Sequence, residues 1–140
     1  MLHLNHVIRK HCTMKMPRKQ IIIVDHGTYP FDVMICIESS HAEVVKHIEK
    51  KGYKLNEEEK EHLKMRGCGR SVMLQGGQTV IRLDRMSSIQ KFHANLAHEI
   101  FHAVEFLFDR AGIKYNMEIS GEVFAYQIAY LTGSIYEKLT

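Results

Sequence analysis

The sequence predicts an α+β domain: a small mixed β-sheet with helices packed against it. Two observations carry that expectation. Short β-branched runs occur in two pairs, and a Ser or Asn followed three residues later by Glu or Gln recurs at the start of helix-like stretches. Together they give the order β-β-α-α-β-β-α-α, in which paired strands alternate with paired helices. Strand order within the sheet does not follow from this pattern.

Gln20–Asp25 is a run of β-branched residues stopped by His26-Gly27 and reads as a buried strand. Phe31–Glu38 alternates behind Pro30 and reads as a second strand. Ser40-His-Ala-Glu43 is a capping box for a helix to about Lys51, with Gly52 as its stop. Asn56 with Glu59 repeats the signal for a helix ending at Gly67. Ser71–Gln75 and Gln78–Asp84 flank Gly76-Gly77, a pair suited to a tight hairpin in which both turn residues take positive φ. Ser87 with Gln90 opens a long helix through Phe108 that stops near Gly112. Ser120 caps a last helix to about Thr132, where Gly133 is expected to break it before a short tail helix.

A chain of 140 residues with 45% hydrophobic and 25% charged content has the length and composition of one globular domain. We read residues 20–140 as that domain and residues 1–19 as a basic N-terminal extension. No apolar run approaches the roughly 20 residues that span a bilayer, and the N-terminus lacks the pattern of a signal peptide. Cys12, Cys36 and Cys68 are odd in number and widely spaced, which is neither a disulfide framework nor a thiolate zinc site. A cytoplasmic location is expected. Lys46, Lys50, Lys51 and Lys54 are followed by Glu57, Glu58, Glu59 and Glu61, a mixed-charge surface rather than a nucleic-acid footprint. Neither a nucleic-acid nor a membrane partner is expected.

The chemistry lies in the long helix, at His98-Glu99-Ile100-Phe101-His102. Histidines at i and i+4 project one turn apart from one face, so both imidazoles can reach one ion. Glu99, about 100° round the helix from His98, can reach a water at that ion without ligating it. The surrounding Leu96, Ala97, Ile100, Phe101, Ala103 and Val104 place the motif on a helix expected to be buried. A catalytic zinc needs a third protein ligand. Glu122, in the first turn of the next helix, is the candidate, ahead of Glu118 in the preceding loop. Glu105 reads as a solvent-facing or ligand-orienting group, and His93 as a non-ligand. His3, His6 and His11 are too loosely spaced to be read as a second metal site.

The motif followed by a helix opening on Glu122 resembles the gluzincin branch of the zincin metallopeptidases, over about residues 78–131. That resemblance implies a compact single-domain zinc peptidase with His98, His102 and Glu122 as ligands and Glu99 as base. It also implies a Tyr or His donor for the tetrahedral oxyanion, for which Tyr126 is the choice, with Tyr130 and Tyr115 behind it. There are departures. Gly121 stands where many gluzincins have Asn. Tyr126 also stands where thermolysin-like members have an acidic residue that orients a histidine ligand, so that support must come from elsewhere. Phe108 occupies the short-spaced metzincin histidine position, which excludes that branch.

The expected function is therefore zinc-dependent hydrolysis of peptide bonds in a peptide or protein, with Zn2+ as cofactor. The rival is a zinc-binding regulatory or protein-interaction module with a degenerate cleft. A zinc nucleobase deaminase is excluded by the lack of H-x-E with P-C-x-x-C. Zincins bind substrate extended along a sheet edge, and Gln78–Leu83 is the candidate for that border.

Overall fold

The computed structural model describes residues 15–140. Four strands and four helices follow one another as β1 (Gln20–His26), β2 (Tyr29–Ile37), α1 (His41–Lys50), α2 (Glu57–His62), β3 (Gly69–Met73), β4 (Thr79–Leu83), α3 (Ile89–Arg110) and α4 (Gly121–Lys138). The chain is α+β, with the expected order of elements.

Period-two alternation sorts the side chains of the sheet. Val33, Ile35, Ile37, Ile81 and Leu83 face one way and pack with Phe92, Leu96, Ile100, Val104 and Phe108 of α3 and with Phe124, Leu131 and Ile135 of α4. Met34, Cys36, Val72 and Val80 face the other way, against Val44 and Ile48 of α1 and Leu63 just past α2. Helices therefore cover both faces. The order across the sheet is β1-β2-β4-β3; β2 and β4 are parallel and the two outer pairs antiparallel. Met16 packs against the larger cluster, so at least that part of the basic extension joins the fold.

Several local expectations are corrected. β1 is not a buried strand but an edge: only Val24 and His26 are buried, and Gln20–Ile23 are half-buried. β4, the expected border, is interior, and β3 holds the edge beside it. The Gly-Gly hairpin is wider than a two-residue turn. The Leu74 N–H donates to Gln78 O at 2.8 Å, and only Gly77 of the pair has positive φ. Gly77 is also a close approach: a Cβ there would clash with the Phe31 ring.

Helix α2 ends at His62 rather than Gly67. The next two carbonyls are taken by arginines: Arg82 donates to Leu63 O at 2.9 Å and Arg70 to Lys64 O at 2.9 Å. Buried Arg82 also donates to Ser39 O. Helix α3 is capped by Ser88, whose Oγ accepts from Lys91 N at 3.2 Å, rather than by a Ser87–Gln90 box. Ser120 precedes α4 without capping it, because its hydroxyl donates to Lys114 O at 2.6 Å and accepts from Asn116 N at 2.7 Å. Nor does Gly133 break α4. A helical glycine costs about 1 kcal/mol, while the turn beyond it buries Ile135 completely, worth roughly 1.5–3 kcal/mol.

Candidate metal centre

Helix α3 turns its apolar stripe, Phe92, Leu96, Ile100, Ala103, Val104 and Leu107, onto the sheet and α4. At about 100° per residue, His98, His102 and Glu105 fall on the opposite, solvent side. His98 is exposed and His102 half-buried. This corrects the expectation of a buried motif: of the three motif side chains only Glu99 is buried, at 4% exposure.

The two imidazoles converge. His98 Nε2 and His102 Nε2 are 3.0 Å apart, with ring planes at 76°. Two zinc–nitrogen bonds of about 2.0–2.1 Å can meet at one ion across that gap. The far nitrogen of His102, Nδ1, lies 2.8 Å from Glu105 Oε1. A carboxylate there accepts the Nδ1 proton, which leaves the Nε2 lone pair free to bind and fixes the ring. Glu105 thus stands where a partner that orients a histidine ligand would stand, a part that Tyr126 is not placed to take. Its i+3 spacing from His102 was legible, but only the geometry selects it over solvent. Phe106 stacks on the His102 ring, at 23° and 6.4 Å between centroids.

Glu99 leaves the flank of α3 that faces the edge strand. Ser71 of β3 donates its hydroxyl to Glu99 Oε2 at 2.5 Å, and Ser71 Oγ also lies 3.1 Å from the backbone Glu99 O. Ser71 and Glu99 are 28 residues apart, and nothing in the sequence pairs them. The donor gives the buried carboxylate one of the partners it needs.

The other candidates lie apart from this cluster. Among the described residues, no group of three or more His, Cys, Asp or Glu side chains converges to hold a metal. Glu122 is exposed on α4. Its direction follows from the packing of α4: buried Phe124 lies two residues on, about 200° round the helix, so seating Phe124 in the core turns Glu122 outward. The same holds for Tyr126, two residues beyond Phe124 and 74% exposed. Glu118 is exposed in the turn before α4, its N–H bonded to Asn116 Oδ1 at 3.0 Å. Tyr130 donates to Asp25 Oδ1 at 2.6 Å, which raises the phenol's pKa and lowers the carboxyl's. Tyr115 packs edge-on against Phe124, and His93 bonds and stacks with Tyr136. His3, His6 and His11 lie outside the described residues.

No helix among the described residues is long and apolar enough to cross a membrane. Compared with family models, curated proteins and solved structures, the chain matches none.

Proposed function

We propose that the chain is a zinc-dependent peptidase whose metal is held by His98 and His102. The observation that carries this reading is the convergence of the two Nε2 atoms at 3.0 Å, with the outer nitrogen of His102 held by Glu105. Zinc bound there supplies Lewis acidity, polarising a carbonyl and acidifying a water. Glu99 is the base that takes the proton from the attacking water and returns it to the leaving amine. Ser71 fixes one oxygen of that carboxylate, so the proton-transfer group needs little reorganisation. The outer edge of β3, unpaired among the described residues, lies beside α3, where an extended peptide substrate can add as a strand. The third ligand is Glu122 on the resemblance to gluzincins, and it requires a different approach of the start of α4 from the one described above.

A second reading is supported by Glu99 itself. A glutamate at 4% exposure, hydrogen-bonded across to β3, also suits a structural tie in a zinc-binding interaction module.

One experiment separates the readings. The full chain, purified without chelator, is analysed for transition metals and assayed on a mixed peptide library with and without added zinc. About one zinc per chain, lost in His98→Ala and His102→Ala, with library cleavage abolished by Glu99→Gln, supports the peptidase. Zinc without cleavage supports the module, and no transition metal in the parent overturns both.

A further inference from the structure

One turn beyond His102, the outward face of α3 runs into an open groove of about 390 Å³ between α3, the loop after it and α4. It is not separate from the histidine pair. Glu105, which holds His102 Nδ1, lines it, and so does Phe106, which stacks on the His102 ring. Its walls are aromatic, with Phe106 on α3 and Tyr115 packed edge-on against Phe124 at 5.2 Å. Its charges are the carboxylates of Glu105 and Asp109, one helical turn apart, against the single ammonium of Lys114. Asp109 makes no ion pair with any described residue.

Resting on the peptidase reading above, we propose that this groove is a specificity subsite for an arginine side chain of the substrate, near the bond presented to His98 and His102. A planar guanidinium stacks on aromatic faces while its N–H groups reach a carboxylate, whereas a lysine ammonium is a compact point charge that loses the stacking. An aliphatic residue gains the walls but leaves Asp109 unanswered, and a glutamate meets two like charges. The order of preference is therefore arginine, lysine, leucine, glutamate. Discrimination comes as much from the repulsion of acidic residues as from the attraction of basic ones.

The test uses the full chain with zinc and a peptide series that varies one residue through Arg, Lys, Leu and Glu at each position flanking a cleaved bond. At one of those positions the Arg peptide is expected to exceed the Glu peptide by at least about tenfold in kcat/KM. In Asp109→Lys that ratio is expected to collapse to near one or invert, and in Asp109→Asn to fall partway. Glu58→Gln, which removes a carboxylate from α2, is expected to leave the ratio unchanged. Cleavage with no preference for Arg, or a preference untouched by Asp109→Lys, overturns the subsite and leaves the peptidase standing. If no peptide is cleaved, the peptidase reading falls, and direct binding of the same peptides decides the groove. Tighter binding of the Arg peptide to the parent chain, lost in Asp109→Lys, upholds it; equal binding overturns it.

Discussion

Glu105 Oε1 lies 2.8 Å from His102 Nδ1, a hydrogen bond between residues three apart on one helix face. Ordinary surface pairs at this spacing contribute only a few tenths of a kcal/mol. Here the bond also selects the tautomer, placing the proton on Nδ1 and the lone pair on Nε2, where His98 Nε2 converges.

Zinc affinity should register this directly. Glu105→Ala is expected to weaken zinc binding about 10–100-fold, the usual effect of losing a carboxylate behind a histidine ligand. Glu105→Gln should weaken it less, because the amide oxygen still accepts the Nδ1 proton. Competition with a chromophoric chelator gives the constants. Equal affinities in the parent and Glu105→Ala would show the contact to be an incidental surface pair.

The Ser71–Glu99 bond connects the edge strand to the proposed base. Ser71→Ala is expected to lower kcat while sparing KM and zinc content, and Ser71→Thr, which keeps the hydroxyl, to restore kcat. Leaving a buried carboxylate without this donor should also cost roughly 1–3 kcal/mol of stability, read by urea unfolding. A Ser71→Ala protein with unaltered kcat and unaltered stability removes the bond from both roles.

The order of elements was legible because alternation and capping signals are local, and the histidine pair because i, i+4 spacing fixes a shared face. What failed depended on contacts between distant residues. Helix α2 ends at His62, and Arg82 and Arg70, from later strands, take the two carbonyls that follow it. Gly133 stays helical because Ile135 has a core to enter. Ser71 reaches Glu99 only after the edge strand has docked on α3. The outward turn of Glu122 was within reach of the sequence, since counting about 100° per residue from Phe124 already opposes it.

His26 makes stability depend on pH. Burial pushes its pKa down from 6.5 to about 4, with the carboxylates of Asp32 and Asp25 pulling the other way. Its Nδ1 lies 3.2 Å from Gln127 Nε2, which donates to it when the ring is neutral. The folded value lies below the unfolded one, so between about pH 6.5 and 4 the unfolded chain takes up a proton that the folded chain refuses. The stabilising contribution is therefore complete above about pH 6.5 and is lost as pH falls towards 4, by on the order of 2–3 kcal/mol. Urea unfolding at pH 7 and pH 4.5 should show that loss in the parent and a smaller one in His26→Gln. Parallel losses in both proteins would assign the acid sensitivity to other groups.

The two cysteines of the described residues should separate by reactivity. Cys36 is 1% exposed between the sheet and α1, and burial raises its thiol pKa to about 12, with Arg82 opposing weakly. Cys68 is exposed in the turn before β3. Since the thiolate is the reacting form, a Cys12→Ser protein treated with iodoacetamide at pH 8 should be alkylated at Cys68 long before Cys36. Peptide mapping by mass spectrometry checks this, and early modification of Cys36 would show that the α1 layer opens readily.

The last prediction concerns the third ligand. Phe124 is 5% exposed against Phe108, with ring centroids 4.6 Å apart, and that packing holds Glu122 outward. For Glu122 to join His98 and His102, the first turn of α4 must rotate or unwind, at the expense of the Phe124 contacts. Zinc binding would then be coupled to a conformational change, with affinity reduced by the cost of reaching the competent state. The amide signals of residues 119–126 should shift or broaden on titration with zinc, and Glu122→Ala should lose most of its affinity while Glu118→Ala keeps it. If zinc instead binds with the signals of α4 unmoved, and Glu122→Ala holds it as tightly as the parent, the third ligand is not Glu122 and the resemblance to gluzincins does not extend beyond the motif helix.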